Sequence, residues 1–158
     1  MNIFVLDKDP VKAARMMYNS HVVKMVLEAA QLLSTAHRIL DDEAPDILYK
    51  ATHKNHPCSI WARQTSDNYM WLYSHFKALS DEYTHRYGKV HLSWSKLGKA
   101  LASVPTNISD GQLTDFAQAM PDCYRDGNAV TAYRDYYRNE KINLFGYTNR
   151  QPPSWLSV

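Results

Sequence analysis

The sequence is poor in the residues and runs that mark several classes of protein. Only 5 of its 158 residues are glycine, which argues against a turn-rich all-β chain. The two cysteines, Cys58 and Cys123, form no CxxC pair, so we expect free thiols in a reducing cytosol and no disulfide framework. No apolar run approaches the roughly 18 residues of a membrane span, and we expect no membrane partner.

Charge of either sign is not in large excess, because the formal net charge is +2. This small positive charge permits a nucleotide or nucleic-acid partner without requiring one. The aromatic residues are mostly those with a polar tip, 11 Tyr and 4 Trp against 4 Phe. Such side chains suit wet clefts and the stacking of bases. A helix-bundle core that keeps its hydroxyls at the rim explains them equally well.

Helical periodicity dominates the pattern of apolar residues. It predicts an all-α fold, a compact helical bundle around a central helix at about residues 19–40. A long aromatic helix follows at about 58–87, and residues 2–6 form at most one short N-terminal strand. Because linkers and repeats are absent, we expect one helical domain over residues 1–158, with an irregular C-terminal tail from about residue 146.

The shorter helices are predicted from start and stop signals. Asp9 is a good cap, and Pro10 suits the first position of a helix, where no N–H is needed. This helix should reach about Met17. The remaining helices are expected at about 90–104, 112–120 and 129–141.

The central helix carries a narrow polar stripe along an otherwise apolar surface. The members of the stripe recur at helical spacing and are His21, Lys24, Glu28, Gln31, Thr35 and Arg38. One interpretation is a solvated edge with a Lys24–Glu28 pair one turn apart. The other is that the stripe lines a polar cleft between helices, and the sequence leaves both open.

If the stripe lines a cleft, its first three residues carry the chemistry. Glu28 would be a general base or a stabiliser of positive charge, and His21 a proton carrier. Lys24 would serve as an electrophile, an anion binder or an amine that forms a Schiff base.

Three further groups of polar residues are candidates for substrate binding, together with Gln31 of the stripe. The loop before Pro57 offers a helix N-terminus that can bind an anion, and a long-helix arginine can clamp a phosphate. Ordinary capping and solvated helix faces explain the same residues. The candidates are His53, Asn55 and His56 in the loop, Arg63, Asn68 and Trp71 on the long helix, and Arg134, Tyr137 and Lys141 on the last helix.

Motifs for metals and common cofactors are missing. The sequence has no HExxH, no paired cysteines and no EF-hand pattern, so we expect no metal site. It also has no phosphate-cradling Gly-rich loop, which disfavours P-loop and Rossmann enzymes. We therefore expect no cofactor.

Several runs resemble a family of small proteins of phages and large DNA viruses. They are H-V-V-K-M-x-L-E at residues 21–28, T-H-K-N-H-P at 52–57 and W-A-R at 61–63. The chain is more distantly similar, in architecture, to the phage pyrimidine-dimer DNA glycosylases. Those small all-α enzymes use an N-terminal α-amine, exposed after Met removal, and a Glu on an early helix. The resemblance assigns that Glu to Glu28, whereas Asn2 is a residue behind which Met is usually retained.

Three functions follow as hypotheses. The first is a phage-type enzyme that acts on a nucleobase in DNA or in a nucleotide, in the cytoplasm of an infected bacterial host. The second is a non-catalytic nucleotide-binding protein that sequesters a host signalling nucleotide with the same residues. The third is a helical protein-interaction module. The expected partner is a nucleotide or DNA, and the sequence leaves the oligomeric state open, a homodimer included.

Overall fold

The computed structural model describes residues 1–156. It contains six α-helices and three short 3₁₀ turns, and no strand occurs in the described part of the chain. The all-α prediction is therefore confirmed. The helices are α1 (Pro10–Arg15), α2 (Asn19–Leu40), α3 (Pro57–Ala62), α4 (Ser66–Tyr87), α5 (Leu92–Leu97) and α6 (Ala129–Glu140). The 3₁₀ turns cover Ala100–Ala102, Asp122–Tyr124 and Ile142–Leu144.

Helix α2 lies at the centre of the bundle and packs against α3, α4 and α5. Val22, Val26 and Leu33 on its apolar side are fully buried. Two of its apolar residues, Val23 and Leu27, remain exposed, so the buried face is narrower than the sequence suggested. The central position of this helix is the feature that brings the polar stripe against other elements.

The long aromatic helix is divided into α3 and α4 by a break at residues 63–65. Thr65 has an extended backbone, and its hydroxyl accepts a hydrogen bond from the Asn68 N–H. That is the geometry of a helix N-cap, so a new helix starts here. Helix α4 then ends at Gly88, whose φ of 70° is the left-handed conformation that glycine adopts without strain.

Two other predicted helices are shorter or absent. Residues 90–104 form α5 and a 3₁₀ turn, and residues 112–120 form no helix. In the second segment backbone groups bond to distant side chains: the Thr114 N–H donates to the Asn68 amide oxygen, and the Ala119 N–H donates to the Tyr133 hydroxyl. Long-range hydrogen bonds thus replace the local backbone hydrogen bonds of a helix. Of the predicted tail, residues 157–158 lie outside the described part.

The first six residues form an extended, buried segment that leads to the start of the bundle. Ile3, Phe4, Val5 and Leu6 are all buried. The Asn2 side chain accepts from the N–H groups of Ile3 and Phe4 and donates to the Ala119 carbonyl. Phe4 has a φ of 52°, a costly conformation for a residue with a side chain. The segment is thus pinned in one path, with its Met1 end beside Glu28 of α2.

No helix of the described part is long and apolar enough to cross a membrane. Both cysteines are free thiols, as expected, with Cys58 buried and Cys123 exposed.

Candidate active site

A polar cleft of about 380 Å³ opens along the first three turns of α2. We call it the Glu28 cleft. Four elements contribute to it: the N-terminal segment, α2, the start of α3 and the chain from residue 119 through α6. Its lining residues are Met1, Asn2, Phe4, His21, Lys24, Met25, Glu28, His56, Pro57, Ala119, Met120, Tyr136 and Lys141. The N-terminal half of the stripe therefore lines a cleft and not a solvated edge.

Glu28 is the carboxylate of the cleft, and two amines lie beside it. The Met1 α-amine is 3.6 Å from Oε1, and Lys24 Nζ is 3.9 Å from Oε2. Glu28 is only 7% exposed, yet Oε2 is buried without a hydrogen-bond partner among the described residues. A buried carboxylate usually satisfies its oxygens, so Oε2 keeps an unmet capacity to accept a hydrogen bond.

His21 lies on one side of the Glu28 carboxylate, and its ring is neutral. Its Nδ1 lies 2.7 Å from the Tyr137 hydroxyl, and Phe4 stacks on its face with ring centres 4.5 Å apart. Burial lowers the pKa of His21 to about 4, and the charges of Lys141 and Lys24 add to this effect. At neutral pH His21 is therefore uncharged, and it is a hydrogen-bonding group more than a cationic acid.

The loop before Pro57 reaches the Glu28 cleft through His56. The His56 ring accepts the Cys58 N–H at 3.1 Å and caps α3. Burial lowers the pKa of His56, and the Met1 α-amine and His53 lower it further, against the raising effect of Glu28. His56 is thus held by the fold and electrostatically coupled to the cleft.

Two lysines supply positive charge at the cleft. Lys24 has a side chain that is 69% exposed, and Lys141 follows the last residue of α6. The Lys141 ammonium lies 5.3 Å from the centre of the Tyr136 ring, within the range of a cation–π contact. The two lysines offer cations of the kind that bind phosphates.

Four of the predicted binding residues have structural contacts instead. The Asn68 side chain is fully buried and bonds to Trp61 and Thr114. Trp71 is buried, and its indole donates to the Lys8 carbonyl, so it does not present an open face to a ligand. The Arg134 guanidinium donates to the Leu6 carbonyl and pairs with Asp7. Tyr137 is buried behind His21 and does not line the cleft.

Of the six other predicted binding residues, His56 and Lys141 line the cleft and four lie outside its lining. His53 and Asn55 are exposed on the loop, and His53 has a φ of 45° and bonds to Thr52. Arg63 ends α3 and donates to the Ser59 hydroxyl. Gln31 is half-buried on α2, one turn beyond Glu28. None of the four contributes to the geometry around the carboxylate.

The residues that sequence reasoning missed come mainly from the N-terminal segment. Met1, Asn2 and Phe4 line the cleft, although the pattern of residues 2–6 indicated no more than a short strand. Tyr136 was also missed. The available signal was the resemblance to enzymes that use an N-terminal amine, because helical periodicity carries no information about an extended segment.

A second cavity of about 320 Å³ lies between residues 113–118 and the start of α6. Its only ionisable lining residues are Lys8 and Asp115, so it holds no group of the kind that surrounds Glu28. In the described residues no cluster of three or more His, Cys, Asp or Glu could hold a metal ion. Of these two cavities, only the Glu28 cleft brings a carboxylate and amines together with histidines.

Comparison with known families gives a match. The family described as pyrimidine dimer DNA glycosylase matches residues 1–96, which is more than half of the chain. Searches among curated proteins and among solved structures gave no significant match. The matched segment contains the N-terminal segment and α1 to α4, whereas the wall of the cleft from Ala119 to Lys141 lies beyond it.

Proposed function

The chain belongs to the pyrimidine dimer DNA glycosylase family, and from this premise we propose that it removes damaged pyrimidines from DNA in the Glu28 cleft. One observation carries the proposal, namely a buried carboxylate with one unpartnered oxygen and two amines at 3.6 and 3.9 Å. An amine beside a carboxylate is the pair that covalent base removal requires. We propose the cytoplasm of an infected bacterial host as the site of this activity.

The chemistry needs a primary amine that attacks C1′ of the damaged nucleotide. A C–N bond forms between the amine and C1′, and the bond from C1′ to the base breaks, with its electron pair leaving on the base. The protonated amine then loses one proton to Glu28. The bond from C1′ to the ring oxygen O4′ breaks as the nitrogen lone pair forms a C1′=N bond, and O4′ takes up a proton, so the ring opens to a protonated imine. Glu28 is placed to accept a proton from the amine and to stabilise positive charge that develops at C1′.

We assign the nucleophile to the α-amine of Met1 and not to Lys24. The Met1 side chain is only 3% exposed, so its amine is held in one place beside Oε1. Lys24 is mostly exposed, so its amine is not held against the carboxylate in the same way.

The remaining cleft residues hold the DNA in this proposal. Lys24 and Lys141 bind phosphates through charge, and such contacts position the backbone without reading sequence. His21 and His56 contribute hydrogen bonds inside the cleft. To reach C1′, the enzyme must also distort the duplex at the lesion, as enzymes that act on bases generally do.

The proposal is tested with an oligonucleotide that carries one pyrimidine dimer, incubated with the protein and sodium borohydride. Borohydride reduces an imine to a stable amine, so a covalent protein–DNA adduct should form. Peptide mapping by mass spectrometry then locates the modified residue. We expect the adduct on Met1, and an intact-mass measurement of the purified protein shows whether Met1 is present.

A variant with two residues, Gly-Ser, added before Met1 is the matched control. It moves the free amine away from Glu28 and replaces no side chain of the cleft, so trapping should be lost while the thermal melt is kept. An adduct on Lys24 would move the nucleophile to that residue. If no adduct forms and the ligand is recovered intact with the oligonucleotide unaltered, the glycosylase proposal is overturned in favour of a protein that only binds its ligand.

A further inference from the structure

Tyr137 lies behind the Glu28 cleft, on α6 and outside the segment that matches the family. Its side chain is fully buried. The hydroxyl has two neighbours among the described residues, the Tyr18 backbone N–H at 2.9 Å and His21 Nδ1 at 2.7 Å. Tyr137 thus connects the backbone at the start of α2 to His21, which lines the cleft and lies on the same helix as Glu28.

The protons of these three groups can be assigned by elimination. A backbone N–H only donates, so the Tyr137 oxygen accepts from Tyr18. The single hydroxyl proton is left to donate to His21 Nδ1. If Nδ1 itself carried a proton, the Tyr137 oxygen would accept twice and its own buried proton would have no acceptor, an arrangement that folded proteins avoid.

The opposite nitrogen of the ring, Nε2, must then carry the proton, because a neutral imidazole has one donor and one acceptor. Nε2 makes no hydrogen bond to any residue in the described range 1–156, and His21 lines the cleft. Stacking of Phe4 on the ring face blocks reorientation. The charged or titratable groups that share the cleft with this ring are Lys24, Glu28, His56, Tyr136, Lys141 and the Met1 α-amine.

We propose that Tyr137 is a positioning residue that fixes His21 as the neutral tautomer with its proton on Nε2, so that His21 presents a hydrogen-bond donor to the substrate. The acceptor is an oxygen of the nucleotide, from its phosphate or its deoxyribose. This role replaces the proton carrier expected from the sequence. It rests on the proposed function only as far as the identity of the acceptor is concerned, since the tautomer is a property of the free protein.

The tautomer is measured directly by two-bond ¹H–¹⁵N correlation spectra of the ¹⁵N-labelled wild-type protein near pH 7. His21 should show an unprotonated Nδ1 and a protonated Nε2. In Tyr137→Phe the Nδ1 resonance should shift, because the donated hydrogen bond is lost. The tautomer ratio should change by roughly threefold to tenfold, which is the scale of one hydrogen bond, and the His21 titration should move up from its lowered value.

Tyr133→Phe is the matched control. It removes a buried hydroxyl from the same helix, but that hydroxyl bonds to Ala117 and Ala119 and not to His21. The His21 resonances should stay as in the wild type. A wild-type spectrum with Nδ1 protonated, or with a doubly protonated ring near pH 7, overturns the proposal even if no variant folds. Unchanged His21 resonances in Tyr137→Phe overturn it as well.

Activity on the dimer oligonucleotide separates this inference from the proposed function. In an active enzyme, Tyr137→Phe should lower kcat by about tenfold, the scale of one misdirected hydrogen bond. The salt dependence of DNA binding, which reports the lysines, should be unchanged. Absence of activity in the wild type would end the glycosylase proposal and leave the tautomer result intact. If Tyr137→Phe is active with an unchanged kcat, the fixed tautomer of His21 does not contribute to catalysis, and that part of the inference is wrong.

Discussion

Two buried glutamates on the two longest helices have opposite surroundings. Glu82 on α4 is 3% exposed and Glu28 on α2 is 7% exposed. Both Glu82 oxygens accept short bonds, from Arg86 at 2.9 Å and from Arg150 at 2.9 and 2.8 Å. Glu28 has only amines at 3.6 and 3.9 Å, and its Oε2 accepts nothing from the described residues.

The difference shows that burial alone does not identify a functional carboxylate. Both Glu82 oxygens already accept hydrogen bonds. The Arg86 guanidinium also donates to the Met17 and Arg15 carbonyls at the end of α1. That cluster joins three parts of the chain. Glu28 stands in a cleft with an oxygen that the fold leaves unused, and such unmet hydrogen-bonding capacity is where substrate chemistry can enter.

The largest effect on stability is expected from Glu82→Gln. Removing one member of a buried ion network leaves the arginines without their counter-charge, which typically costs about 3 kcal/mol or more. Solvent screens part of this loss of stability, since the Arg150 side chain is 26% exposed. Urea unfolding measures the loss, and activity per folded molecule should remain. Asp81→Asn, which breaks an exposed pair with Lys77 on the same helix, should cost less than about 1 kcal/mol.

Glu28→Gln should have the reverse pattern. Shape is kept, and no short hydrogen bond is broken, so the melting temperature should hardly change. Base release should fall by about 100-fold or more, as for the loss of a general base. Single-turnover assays and thermal melts of this variant and of Glu82→Gln, measured side by side, test the comparison. Equal losses of stability in the two variants would show that Glu28 is a scaffold residue.

Lys24→Gln should have a smaller effect. This variant distinguishes the role of the Lys24 amine from that of the Met1 α-amine. Because Lys24 is mostly exposed, its pair with Glu28 contributes about half a kcal/mol or less to stability. If Lys24 binds a phosphate, the slope of log K against log salt for DNA binding should fall by about 1. Fluorescence anisotropy at several salt concentrations gives that slope. Complete loss of borohydride trapping in this variant would contradict the assignment of the nucleophile to Met1.

The smallest effect is expected in the pH dependence of stability. Burial alone raises the pKa of Glu82, but hydrogen bonds and charge from Arg150 and Arg86 outweigh it and hold the pKa below the ordinary value. Its stabilisation is then fully present above pH about 4.3, the value for an unfolded glutamate, and is lost as the pH falls through the lower, folded value. The free energy of unfolding, measured from pH 6 to pH 3, should therefore fall less steeply in Glu82→Gln than in the wild type. Parallel curves would show that the arginines do not shift this group.

Helix positions were predictable where local signals were strong. The central helix begins at Asn19 and ends at Leu40, as its periodicity indicated, and Asp9 with Pro10 starts α1. The break at Thr65 was missed because its capping signal lies inside a longer apolar pattern. Residues 112–120 were assigned to a helix because nothing local reveals that Asn68 and Tyr133 bond to their backbone.

The sequence by itself determined the fold class, the central helix and the spacing that puts His21, Lys24 and Glu28 on one face, because these depend on contacts within a few residues. Only the tertiary structure decided which other groups meet that face. The Met1 amine reaches Glu28 from the chain start, and Tyr137 reaches His21 across 116 residues. It also decided that Asn68 and Trp71 are interior. Contacts between residues far apart in sequence depend on how whole helices pack, and the periodicity of one helix does not encode the neighbours that cover it.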